Sequence, residues 1–135
     1  MPERAVVGFD VQPIEEVEAS LREFGDRYRH LLFTDHELEC SGEGPESGSK
    51  LAARFAAKEA VMKILNVGPD VPPWRSVEVK CATDGRTEIV LHDSAANLAR
   101  LEGMHNLTVA FSVADGVAVA AVVASVVSEP ERADR

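Results

Sequence analysis

The sequence predicts an α+β fold: a single small domain in which an antiparallel sheet packs on one long central helix. The second half carries the first observation. Its elements run strand, strand, helix, strand, strand across tight turns, which argues for antiparallel pairing rather than a doubly wound parallel sheet. The second observation is the stretch from about Ser49 to Leu65, helical in period and apolar on two sides. The third is the length, 135 residues, one domain's worth of chain and enough for one good core. The domain is placed at residues 1–128, and the charged end EPERADR, residues 129–135, is expected to be a flexible tail.

Each element has its own signal. AVVGFDV, residues 5–11, reads as a short strand ending near Asp10. Pro13 then suits the first turn of a helix along which Ile14, Val17, Leu21 and Phe24 recur at helical spacing, closed by Gly25. A short helix covers about Arg27 to Phe33, and Thr34 with Glu37 has capping-box spacing for another turn. SGEGPESGS, residues 41–49, has the composition of an exposed, mobile loop. After the long helix, NVGPDVPPW is rich in breakers. SVEVKCA and TEIVLH alternate around an Asp84-Gly85 turn, giving a hairpin. DSAANLARLEG is a helix with Asp93 or Ser94 as cap and Gly103 as stop. LTVAFSV and GVAVAAVVASVV are the last two strands, joined through Ala114-Asp115-Gly116.

Composition excludes several classes. The apolar run from Gly116 to Val127 is too short to cross a bilayer and is rich in β-branched residues, so it is a buried strand and no membrane partner is expected. The first residues, MPERAVVGFD, carry charges where a signal peptide has its apolar core, and a cytoplasmic location follows as an expectation. Two cysteines, Cys40 and Cys81, make no disulfide framework and read as reduced thiols. The net charge of −9, with no basic cluster, argues against a nucleic-acid partner.

The long helix contains RFAAKEAVMKIL. On a helical wheel Ala53, Ala57, Ala60 and Ile64 fall on one side, and Leu51, Phe55 and Met62 on another. Glu59 and Lys63 lie between these faces at i, i+4, and Arg54 and Lys58 form the other polar edge at the same spacing. A surface salt bridge between Glu59 and Lys63 would contribute only about 0.2–0.5 kcal/mol. In a helix buried on both flanks the two instead share a narrow polar channel, where charges tend to be paired or liganded. A carboxylate there can hold a hard cation, and Mg²⁺ typically takes one or two carboxylates plus substrate phosphates. Asp10, at the end of its apolar strand, offers the second acid.

Gly8-Phe9-Asp10, Phe33-Thr34-Asp35-His36-Glu37, the helix from Arg54 through Lys63, the Thr83-Asp84-Gly85 turn and VAFSVADGVAVAAVV appear in that order. The set resembles the holo-acyl-carrier-protein synthase family, the short class of 4'-phosphopantetheinyl transferases. That family shows G-x-D, F-T-x-x-E, R-F/W-A-A-K-E-A-x-x-K and D-x-x-G followed by a final strand pair. The resemblance implies a phosphopantetheinyl-transferase-like fold. It implies Mg²⁺-dependent transfer of 4'-phosphopantetheine from coenzyme A to a serine of an acyl carrier protein, with release of adenosine 3',5'-bisphosphate. It places fatty-acid or related lipid biosynthesis as the context and a homotrimer, with sites between subunits, as the assembly. By the same resemblance Asp10 and Glu59 are metal ligands, and Glu59 and Lys63 are catalytic. Arg54, Lys63, Asn66, Gly68 and Ser112 bind coenzyme A.

Departures from the pattern motivate an alternative, a catalytically impaired homologue acting as a nucleotide-binding or oligomeric regulatory subunit. A histidine expected beside Ser112 is Val113. A glycine-rich turn after the helix lysine is Asn66-Val67-Gly68, where Asn tolerates positive φ. The first helix carries Glu15, Glu16 and Glu18 where a basic face would meet an acidic carrier protein, and only Arg22, Arg27 and Arg29 restore positive charge. Trp74 reads as a packing anchor. His30, His36, His92 and His105 lack metal-ligand spacing.

Overall fold

The structure, a computed structural model, describes residues 2–127; the expected tail at 129–135 lies outside the described residues. Strand β1 (Glu3–Pro13) leads into helices α1 (Ile14–Phe24), α2 (Asp26–Leu32), α3 (Asp35–Ser41) and α4 (Ser47–Ile64). A 3-10 turn, Trp74–Ser76, precedes the hairpin β2 (Val77–Cys81) and β3 (Thr87–Leu91). Helix α5 (Asp93–Glu102) and the strands β4 (Met104–Ala114) and β5 (Val117–Val127) follow. This is the predicted α+β architecture, with the strands divided between two antiparallel sheets: β1-β5-β4 and the hairpin β2-β3.

Inward and outward residues alternate along β1 and β5 of the larger sheet, while β4 carries an irregularity between His105 and Thr108. Gly8, Asp10 and Gln12 of β1 and Ala118, Ala120, Val122, Ala124 and Val126 of β5 face inward. Val7, Phe9 and Val11 face outward and are exposed. Helix α4 lies on the inner face. Ala52, Ala53, Ala56, Ala57 and Ala60 are fully or almost fully buried, so the helix backbone approaches the sheet closely. Gly8 is the contact point. A Cβ there would run into the Ala60 carbonyl oxygen and lie 2.8 Å from Ile64 Cγ2, so only glycine fits where strand and helix touch. One apolar cluster gathers Val61, Leu65, Val77, Ala95 and Val122 beneath α5, and a second gathers Val17, Leu51, Ala52 and Phe33 beneath α1.

Local chemistry accounts for most boundaries. Thr34 and Glu37 form the expected capping box: Thr34 Oγ1 accepts from the Glu37 N–H at 3.2 Å, and Glu37 Oε1 accepts from the Thr34 N–H at 2.8 Å. Asp115 and Gly116 take φ of 54° and 76°, the turn that suits a right-twisted hairpin. Trp74 packs edge-on against Phe55, with ring centroids 5.1 Å apart. Three local expectations are corrected. The loop at 41–49 is shorter, because Ser41 closes α3 and Ser47 already opens α4, with Gly48 buried against the Glu18 side chain. Pro13 stands before the first turn of α1, as its extended N-cap residue. The N-cap of α5 is His92, and no side chain caps it; Asp93 itself sits at φ 47°.

Candidate active site

The inward alternation of β1 carries Asp10 to α4, two residues beyond the Gly8 contact. Lys63 donates to Asp10 Oδ1 at 2.6 Å and to the Phe9 carbonyl at 3.1 Å. The lysine therefore pairs across elements with Asp10, and not along the helix with Glu59. Its side chain is 58% exposed against 10% for Asp10, so it stands at the mouth of the site rather than inside a closed channel.

Glu59 lies beside Asp10, and its pKa is pushed up to about 7. Burial is the first cause, the hydrogen bond and charge of Asp10 follow, and Lys63 acts in the opposite sense. The hydrogen bond to Asp10 makes the Lys63 ammonium hold its proton more tightly than usual. With both acids ionised, Oδ2 of Asp10 is buried without a donor. A proton held by Glu59 supplies one; so would a cation. Among the described residues no group of three or more His, Cys, Asp or Glu side chains could hold a metal. The pair of acids with one orphaned oxygen fits Mg²⁺ only in its usual form, with substrate phosphates completing the shell.

Glu59 opens onto a cavity of about 500 Å³ whose lining includes Val11, Glu16, Val17, Tyr28 and Phe55. Gln12 donates to Glu16 Oε2 at 3.2 Å, and Glu16 adds to the upward pressure on Glu59. Tyr28 is held as a neutral phenol, its pKa pushed up to about 12 by burial and then by the Glu59 charge. An apolar groove of about 490 Å³, lined by Ser20, Phe24, Arg27, Tyr28 and Leu31, continues from it.

Two acids and a lysine at the meeting of a G-x-D strand with an R-F-A-A-K-E-A-x-x-K helix narrow the comparison with known proteins. Residues 6–122 match the 4'-phosphopantetheinyl transferase superfamily. The chain is 38% identical over 126 residues to the holo-acyl-carrier-protein synthase of Moorella thermoacetica, covering 90% of this chain and 95% of that one. The chain belongs to the holo-acyl-carrier-protein synthase family. The Leptospira biflexa synthase is 35% identical, over 87% of this chain and 93% of its own. The fold agrees with solved synthases. The ACPS–CoA complex of Chronobacterium ammoniagenes superposes with a TM-score of 0.80 at 24% identity, covering 93% of this chain and 99% of that one. The Neisseria meningitidis synthase gives 0.76 at 22% identity, covering 87% and 95%.

Of the residues that the synthase resemblance singles out, the chain brings together Asp10, Glu59 and Lys63. Asn66, at φ 54°, and Gly68 follow Lys63 off the end of α4 and are exposed. Arg54 is apart from them. It is buried, donates to the Lys50 carbonyl at 3.0 Å and to Cys81 Sγ at 2.9 Å, and lies 5.9 Å from the Phe111 ring centre. Ser112 is exposed and, in register with Val119, belongs to the outer face of the sheet.

A buried ion pair escapes the helical wheel. Lys58 and Glu37 are both fully buried, 2.8 Å apart, where the wheel places Lys58 on a polar edge. Lys58 also donates to the Trp74 and Val77 carbonyls, while Glu37 Oε2 accepts from the Val79 N–H at 2.7 Å. Burial holds the Lys58 pKa below its ordinary value, against the pull of Glu37. The sequence does carry a signal for it. With alanines on nearly every side, the middle of α4 has no exposed face, so a long charged side chain there must end inside.

Proposed function

We propose that the chain transfers the 4'-phosphopantetheine group from coenzyme A to a serine of an acyl carrier protein, releasing adenosine 3',5'-bisphosphate. The observation that carries this reading is the Asp10–Glu59 pair, with one oxygen orphaned and Lys63 bound to the other. Mg²⁺ held by Asp10 and Glu59 would neutralise the diphosphate and template the in-line geometry. The remaining chemistry belongs to the chain. Lys63 has three donors, two of them engaged with Asp10 and the Phe9 carbonyl, and the third is free for a phosphate oxygen at the exposed mouth. It stabilises the charge that grows on the leaving bisphosphate. The serine oxygen bonds to the β-phosphorus as the bond to the bisphosphate breaks, and the serine proton passes to Glu59. Glu59→Gln retaining full turnover with Mg²⁺ would overturn that base assignment.

The carrier approaches over α1 and α2, where the apolar groove with exposed Phe24 and Leu31 adjoins the Glu59 cavity. Glu15 and Glu16 make this face unfavourable to a strongly acidic partner, so the favoured substrate is a carrier that docks by apolar contact. Assembly as a homotrimer is part of the proposal. Val7, Phe9, Val11 and Val123 form an exposed apolar outer sheet face, and Ser112 on that face could serve a site completed by a second copy. A cytoplasmic location agrees with two free cysteines.

The test is an intact-mass assay of apo carrier proteins mixed with the chain, coenzyme A and Mg²⁺. A gain of one phosphopantetheine on any carrier, lost in Asp10→Ala and Glu59→Ala, supports the transferase. No transfer across a broad panel, with no thermal shift from coenzyme A and Mg²⁺, moves the reading to a catalytically impaired homologue.

A further inference from the structure

The cysteines lie 41 residues apart in sequence, yet the packing of α3 against the end of β2 gathers both around one imidazole. His36 Nε2 accepts from the Cys81 N–H at 3.2 Å and is 3.3 Å from Cys40 Sγ. Since an N–H donates to it, Nε2 carries no proton, which fixes the tautomer and anchors the ring between the two residues. The two thiols sit side by side, and burial together with the Cys81 contact pushes the Cys40 pKa up. On the other side of Cys81, Arg54 Nη2 donates to its sulfur at 2.9 Å. Both cysteines are free and only half-buried. A cation against one sulfur is a poor setting for a metal ion, and the described residues form no three-ligand metal cluster. The arrangement instead faces the sulfur with a guanidinium donor, where the charge of an attacking sulfur develops.

We propose that Cys40 and Cys81 form a redox-active dithiol that hydrogen peroxide closes to a reversible intramolecular disulfide. The sulfur of Cys81 attacks the O–O bond with Arg54 facing the charge that develops on it. One oxygen stays as the sulfenic acid of Cys81; the other leaves as water with the thiol proton. The sulfur of Cys40 then attacks the sulfenic sulfur. The S–S bond forms as the S–O bond breaks, and hydroxide leaves with the Cys40 proton as a second water. Two thiols lose two electrons and one peroxide becomes two waters. Closure ties α3 to β2 and withdraws from Arg54 its thiol acceptor. This chemistry uses none of Asp10, Glu59 and Lys63, but it engages Arg54, which the synthase resemblance assigns to coenzyme A.

The experiment treats the purified full chain with equimolar hydrogen peroxide, blocks remaining thiols with N-ethylmaleimide and maps the peptides by mass. The expected result is joint loss of both free thiols and a single Cys40–Cys81 linked peptide within one chain. Dithiothreitol should restore both thiols, and the oxidised chain should show a raised Tm. In Cys40→Ser the same treatment should leave a sulfenic acid at Cys81 that dimedone traps. Two unreacted thiols, oxidation running on to sulfinic acid in the wild-type chain, or a disulfide only between chains would each overturn the proposal.

Discussion

At Glu59 a carboxylic acid with an ordinary pKa of 4.5 titrates at about 7 in the folded chain. The folded state thus holds a proton that the unfolded chain has released, and between these two values this group makes stability fall as pH rises. The expected observation, in the absence of ligand, is a Tm that declines from pH 5 to pH 7 (about the window of that shift) more steeply in the wild type than in Glu59→Gln. Mg²⁺ with coenzyme A should raise the Tm of the wild-type chain and leave that of Asp10→Ala unchanged. Lys58 makes the opposite point. It touches no substrate in the proposed reaction, yet Lys58→Ala leaves the Glu37 carboxylate buried without its cation and should destabilise the chain by about 3–5 kcal/mol in urea denaturation. Replacing both Lys58 and Glu37 with apolar residues of similar size should recover part of that loss.

Between elements, the contact that matters is the one at Gly8. It sets how close α4 lies to β1, and hence how far Asp10 stands from Glu59 and Lys63. Gly8→Ala must push strand and helix apart. Overpacking of this kind costs about 1–3 kcal/mol, and loss of transfer activity beyond the loss of folded protein is the expected signature in kinetics on the folded fraction. The elements themselves were largely legible. Alternation marked the hairpin strands, an apolar β-branched run marked β5, and helical periodicity marked α1 and α4, because each rests on local chemistry. The i, i+4 spacing allows a Glu59–Lys63 bridge, but Lys63 pairs with Asp10, a partner that a helical wheel does not contain. Lys58 was misread for the same reason: its partner Glu37 arrives from α3. Asp10 was legible as a companion of Glu59 only through the two motifs together, since their separation in sequence carries no geometric information.

For the whole molecule, the outer face of the larger sheet is the feature that sequence alone left unmarked. Its apolar residues alternate with core residues on the same strands, and both read simply as strand. An assembly that buries this face should come apart in Phe9→Asp, so light scattering after gel filtration should report a trimer for the wild type and a smaller species for the variant. Lower transfer activity in that variant, with its folding intact, would tie the site to assembly. The order β1-β5-β4 has a further consequence, for synthesis. Among the described strands β1 is made first and its hydrogen-bonding partner β5 last, so Glu3 waits for Val127. Long-range pairings of this kind form late. Until β5 is made, β1 has no strand to pair with, and α4 is the main element there to pack against it. Asp10, Glu59 and Lys63 are thus all made before the strand that completes the sheet beneath them.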